Sequence, residues 1–291
     1  MKQNSFKAWI LASRPKTLTG AAMPVIVGMA MAAANLDFNI KIVPAVLCLL
    51  FALLMQIDAN FVNDYFDWRR GNDDEESRLG PLRACSQGWV SPKAMVAAMV
   101  ITTVLACFVG LPLVFYGGWE MILVGVACVI FCVLYTTTLS YIAMGDILVL
   151  VFFGIVPVCL TYYLQCGTIT FSVFLLSLAV GLCVDTLLIV NNYRDIDNDR
   201  RDGKRTLIVF VGKSWGLRIY LLLGVVSALL VMTVADFKIA AVVLMLLYLF
   251  LHRAAFIKMS RLQGRELNLV LGLTARNIFI FGLLTAVALI F

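Results

Sequence analysis

Residues 171–203 read FSVFLLSLAVGLCVDTLLIVNNYRDIDNDRRDG. The first twenty of these carry one charged side chain, Asp185, and the last thirteen carry seven. About 20 apolar residues is the length of a helix that crosses the hydrocarbon core of a bilayer. The switch from unbroken apolar sequence to mixed acids and bases marks where such a helix leaves it. A second joint of the same kind follows the apolar stretch at 42–62, where residues 63–71 read NDYFDWRRG.

The rest of the chain fits that reading. Of 291 residues 62% are hydrophobic and 14% are charged, against about 25% charged in an average soluble domain. That excludes a cytosolic globular protein, a disordered chain and a nucleic-acid binder. Apolar stretches lie near 18–36, 42–62, 94–114, 119–139, 146–165, 171–191, 216–235, 238–257 and 270–291. Runs this long favour helices over outer-membrane strands, which are shorter and alternate. The expected fold is therefore all-α, a polytopic bundle of nine transmembrane helices. Short loops leave no room for a separate soluble domain, so residues 1–291 are expected to form a single integral-membrane domain. The two joints contain the same N-x-x-x-D pattern, at 63/67 and 191/195, each followed by an Arg-Arg pair and a Gly. The match suggests two motif-bearing halves, about 1–140 and 141–291.

Basic residues set the expected topology. Of the 23 Lys and Arg residues, 21 fall at the N-terminus, after the second and sixth stretches, or in the segment from the end of the eighth stretch into the ninth; only Lys41 and Lys238 fall on the other side. By the positive-inside rule the N-terminus is cytoplasmic and the C-terminus lies across the membrane. The single histidine, His252, reads as a cation at the cytoplasmic end of the eighth stretch.

The acids are concentrated on the same side. Ten of 17 follow the second or sixth stretch: Asp64, Asp67, Asp73, Asp74, Glu75, Glu76, Asp195, Asp197, Asp199 and Asp202. On a helix, residues i and i+4 share a face, which pairs Asn63 with Asp67 and Asp195 with Asp199. Such hard oxygen ligands suit Mg2+, which binds through one or two carboxylates and takes substrate phosphates and water for the rest of its shell. Two facing clusters of this kind would hold two ions over a diphosphate, and the interleaved Arg and Lys would neutralise what charge remains. The plainer alternative is a solvated loop of paired acids and bases. We keep that alternative for Asp74, Glu75 and Glu76.

At these joints the sequence resembles the UbiA superfamily of intramembrane aromatic prenyltransferases. The family pattern is N-D-x-x-D-x-x-x-D after the second helix and D-x-x-x-D after the sixth, in a nine-helix bundle. Here Gly71 stands where the third acid of the first motif would be, with Asp73 two residues later. That variant is similar to a narrower branch, the 1,4-dihydroxy-2-naphthoate polyprenyltransferases of menaquinone synthesis. The segments Arg14-Pro15-Lys16-Thr17-Leu18, Arg78-Leu79-Gly80-Pro81-Leu82-Arg83, Tyr141-Ile142-x-x-Gly145-Asp146 and the run at 191–207 point the same way. The resemblance implies an enzyme of a bacterial cytoplasmic (inner) membrane whose active site faces the cytoplasm. It implies transfer of a polyprenyl group from a polyprenyl diphosphate to 1,4-dihydroxy-2-naphthoate, with Mg2+ as cofactor and loss of diphosphate and carbon dioxide, to give demethylmenaquinol.

The candidate site follows. Asn63, Asp67, Asp195 and Asp199 are the expected metal ligands, and Asp64, Asp67, Asp195 and Asp199 the catalytic acids. Arg78, Arg83, Arg194 and Lys204 are the expected diphosphate contacts. Asn60, Asn192, Tyr135, Tyr141 and Asp185 are cavity candidates, the tyrosines because an aromatic face stabilises a cation. Asp58 and Asp185 lie within spans, where a carboxylate is costly and is expected to face the bundle interior; Arg276 is a possible partner. Two rival readings stand beside this one: another aromatic acceptor, such as 4-hydroxybenzoate, and a secondary transporter with intramembrane carboxylates.

Overall fold

The structure, a computed structural model, describes residues 1–71 and 78–291. Asp73, Asp74, Glu75 and Glu76 lie outside the described residues. Among the described residues nine helices are long and apolar enough to span a membrane: Pro15–Asn35, Ile42–Arg70, Pro92–Gly117, Glu120–Thr137, Gly145–Cys166, Phe171–Arg201, Lys213–Val234, Ile239–Arg261 and Gly264–Ile290. They are called the first to ninth spans below. A short helix, Phe6–Ser13, precedes them.

The second and sixth spans differ from expectation in length. Their apolar stretches stop near 62 and 191, yet the helices continue to Arg70 and Arg201. The charged joints are therefore helical ends rather than loops. Each end is stabilised locally. Two arginines occupy the last turn of each helix, Arg69 with Arg70 and Arg200 with Arg201, where cations complement the negative end of the helix dipole. Gly71 then closes the second span in the left-handed conformation (φ 73°), its N–H donating to the carbonyls of Asp67 and Trp68. A left-handed cap strongly favours glycine. This gives a physical reason for Gly71 where the family pattern has an acid.

The first span packs against the second, fifth and ninth; the sixth against the seventh and ninth; the eighth against the seventh and ninth. Their main core joins Met23, Val27, Val158, Tyr162, Leu176, Val180, Val231, Met245, Tyr248 and Phe281. The third and fourth spans pack mainly on the second and are the most exposed part of the bundle. In lipid the apolar effect does not hold helices together, so close approach and small residues do. The fifth and sixth spans show this best. A Cβ on Gly154 would lie 2.6 Å from the Ser177 carbonyl and 2.7 Å from Gly181 Cα.

His252 corrects its expectation. It is 1% exposed, inside the eighth span, with its ring stacked on Tyr220 at 4.6 Å and on Tyr248 at 5.7 Å. Its Nε2 lies 3.0 Å from the Tyr220 carbonyl oxygen. Burial holds its pairing interior, so it is no helix-end cation.

Candidate active site

The first six spans surround one cavity of about 640 Å³, within the range of ligand pockets in general. One end is charged, with Arg14, Asn63, Asp67, Arg78, Arg83, Asn191, Arg194, Asp195, Asp199 and Lys204 in its wall. The rest is apolar, lined by Phe51, Met55, Phe131, Phe152, Phe153 and Leu160 among others. The helical extensions build the charged end. They bring Asn63 and Asp67 from the second span to the same cavity as Asn191, Asp195 and Asp199 from the sixth.

Asp67 is buried and takes two cations. Arg83 Nη2 donates to its Oδ2 at 3.0 Å, and Lys204 Nζ to its Oδ1 at 3.5 Å. Burial works against the charge on Lys204, but Asp67, with Tyr141 and Asp199, outweighs it and raises its pKa above the usual lysine value. Arg78 donates from Nε to the Pro81 carbonyl at 2.7 Å. Burial, with Arg14 nearby, pushes its pKa down to about 10, against the pull of Asp67 and Asp195.

Arg194 is engaged on all sides. It grips Asp195 in bidentate fashion at 2.9 and 2.6 Å, and reaches Asn191 at 2.7 Å and Asn268 at 2.8 Å. Asn268 in turn donates to the Leu79 carbonyl at 2.8 Å. A Cβ on Gly80 would lie 2.7 Å from Arg194 Nη2, so the glycine admits the guanidinium. Arg194 thus braces the 78–83 segment against the sixth span as well as lining the cavity.

The structure gives Asp64 a different place from Asp67. Its two oxygens accept the N–H groups of Ala84 and Cys85, each at 2.9 Å, and it is 1% exposed. It is absent from the cavity wall. It anchors the turn that carries Arg83 onto Asp67. Tyr141 likewise stands outside the wall, its ring under Arg70 at 4.6 Å and Lys204 at 5.6 Å, and so positions the lysine. Asn60 and Asn192 line the cavity. Asn60 donates to the Ser13 carbonyl at 2.9 Å and to Thr17 Oγ1 at 3.0 Å, tying the second span to the start of the first. Tyr135 lines the cavity where charged and apolar parts meet. Neither Asp58 nor Asp185 lines it. Asp58 accepts from Thr103 at 2.7 Å on the side facing the third span. Arg276 donates to Asn277 at 3.2 Å and makes no hydrogen bond to Asp185, whose Oδ1 is buried without a hydrogen-bond partner.

Arg14, legible in sequence as a topology residue and as the start of the Arg14–Leu18 segment but not as a site residue, lines the cavity. Its backbone is left-handed (φ 49°, ψ 69°), a strained state for arginine, and Nη1 reaches Asn63 Oδ1 at 3.4 Å. Burial lowers its pKa, opposed by Asp64 and Asp67. Asn268, which no motif marked, braces Arg194.

Among the described residues no three His, Cys, Asp or Glu side chains form a cluster able to hold a metal alone. The donor set still suits Mg2+: amide and carboxylate oxygens, one or two carboxylates from each helix, facing space that phosphate oxygens and water can fill.

Comparison with known proteins bears on this geometry. Residues 21–268 match the UbiA prenyltransferase family. The chain is similar to the 1,4-dihydroxy-2-naphthoate octaprenyltransferase of Escherichia coli (strain K12), 38% identical over 71% of this chain and 69% of that one. It is 33% identical to the enzyme so named in Mycobacterium tuberculosis, over 99% of this chain and 98% of that one. The structure of a UbiA homologue from Archaeoglobus fulgidus, bound to GPP and Mg2+, superposes with a TM-score of 0.67 at 17% identity, over 97% of this chain and 99% of that one.

Proposed function

The chain belongs to the UbiA prenyltransferase family, and from that premise we propose that it transfers a polyprenyl group to 1,4-dihydroxy-2-naphthoate in menaquinone synthesis. One observation carries the reading. Paired Asn and Asp side chains from two helices face each other at the charged end of a cavity whose remainder is apolar. That division matches a substrate with a diphosphate head and an isoprenoid tail. Relatives named for this acceptor, similar over most of the chain, support the choice of naphthoate.

Asn63, Asp67, Asp195 and Asp199 would hold Mg2+, which when bound supplies positive charge against the diphosphate as it leaves. Arg78, Arg83 and Lys204 supply fixed cations to the same oxygens, where charge develops as the bond breaks. The bond between the prenyl carbon and oxygen breaks with its electron pair going to diphosphate. The ring carbon bearing the carboxylate then bonds to the prenyl carbon. The bond to that carboxylate breaks, its pair returns to the ring, and carbon dioxide leaves. The apolar wall keeps water from the allylic cation, and the Tyr135 ring lies where it can face that cation.

The test is the purified chain in detergent with Mg2+, a polyprenyl diphosphate and a panel of aromatic acceptors. Mass spectrometry is expected to find demethylmenaquinol, with diphosphate and carbon dioxide released in equal amounts. Chelating the metal is expected to stop turnover and added Mg2+ to restore it. Prenylated 4-hydroxybenzoate with untouched naphthoate would overturn the acceptor assignment, and solute uptake without turnover would overturn the reaction.

A further inference from the structure

Beside the main cavity lies a small pocket of about 30 Å³, whose wall includes Tyr135, Ser140, Gly145, Asp146, Asn192 and Thr206. Four of these, Tyr135, Ser140, Asn192 and Thr206, also line the main cavity, so the two share a wall. The volume admits a water or a hydroxyl group and nothing larger. Asp146 Oδ1 is buried without a hydrogen-bond partner. On the facing sixth span Asp185 is 5% exposed, and its Oδ1 is also without a partner. Neither acid forms an ion pair among the described residues. The Gly154–Gly181 contact draws their two spans together.

A buried carboxylate oxygen left without a donor is costly and asks for an explanation. We infer that the side pocket receives a phenolic hydroxyl of the aromatic acceptor, which donates its hydrogen bond to Asp146. The assignment rests on the prenyl-transfer reading above. Chemistry sorts the reactants. A diphosphate offers only acceptor oxygens, which cannot satisfy the unpartnered Asp146 oxygen. An isoprenoid tail offers no donor. A hydroxylated aromatic ring offers the O–H the pocket lacks. The ring would then lie against Tyr135 and Asn192, and Asn192 is one helical turn from Asp195. A hydroxyl that donates to a carboxylate also pushes electron density into its ring, which makes the adjacent carbon a better nucleophile. Asp146 would thus act in selecting the acceptor and in activating it.

The test uses the full chain in detergent with Asp146→Asn, and Gly145→Ala as a second variant that narrows the same pocket without removing charge. The expected result is a rise of about tenfold or more in acceptor KM, the loss expected for a hydrogen bond to a charged group. The KM for polyprenyl diphosphate should stay within about twofold, by the same reasoning. Naphthoates lacking one of the two hydroxyls should show the effect for one analogue and not for the other. Acceptor-induced thermal stabilisation, measured without metal or diphosphate, should fall in parallel. An unchanged acceptor KM in folded variants, or an equal rise for both substrates, would overturn the inference. If the enzyme prenylates a different hydroxylated aromatic, the acceptor assignment fails, and the same comparison made with that compound still decides the pocket.

Discussion

At the scale of single residues, two aspartates three positions apart have separate tasks. Asp67 faces the cavity and takes Arg83 and Lys204; Asp64 faces the turn at Ala84 and Cys85. Asp67→Asn and Asp195→Asn should each lower kcat by about 10²-fold to 10³-fold, the scale of losing one preorganised group at a developing charge. Diphosphate release in folded protein checks this. Asp64→Ala should act through stability instead. It leaves two buried N–H groups without an acceptor, at a cost of about 1–3 kcal/mol, read as a lower melting temperature together with a raised KM for the diphosphate. In sequence the i/i+4 spacing sets Asp67 with Asn63 and leaves Asp64 as a further catalytic acid beside them. What spacing does not contain is where residues 83–85 return, and that return takes Asp64 away from the cavity. Arg14 was hidden for the same reason, since its role depends on a left-handed turn that delivers it beside Asn63.

At the scale of helices, hydropathy located each span but not the ends of the second and sixth. Apolar content falls where the helix leaves lipid, while hydrogen bonding and capping decide where it stops, and here the two differ by about two turns. Those extra turns make the i/i+4 pairs geometrically real. Two glycines test how much of this is backbone. Gly71 is left-handed with open space around its missing side chain, so Gly71→Ala should cost about 1 kcal/mol of backbone strain. Gly154, in the π-helical turn Val151–Ile155, has no left-handed φ but meets backbone atoms of the sixth span on one side. Gly154→Ala must push two helices apart and should cost about 1–3 kcal/mol, as overpacking does. Thermal unfolding of the two variants in the same detergent should rank Gly154→Ala as the more damaging. The reverse order would mean that this crossing yields easily and that the left-handed cap governs the second span.

At the scale of the whole molecule, charge carries most of what the sequence discloses. A chain with so few ionisable groups fits a bilayer, and their clustering points to one end of the bundle. The cavity itself is not legible, because its wall is assembled from six spans whose order around the bundle no single stretch encodes. Orientation follows from charge. Most of the 23 basic residues fall toward one end of the spans; Lys41 and Lys238 lie at the other end, and Arg276 lies about halfway along the ninth span. Lys and Arg concentrated in short segments beside span ends favour the cytoplasmic side, so that end, which also holds the charged mouth of the cavity, should face the cytoplasm. With nine spans the two termini must then lie on opposite sides. Fusions at each end check this. A fluorescent reporter should mature at the N-terminus and fail at the C-terminus, whereas alkaline phosphatase after Phe291 should be active. Active phosphatase at the N-terminus would place Asp67 and Asp195 on the outer side. A prenyl diphosphate made in the cytoplasm would then have to cross the membrane before its head met the metal ligands. The proposed reaction therefore requires the orientation that the basic residues favour.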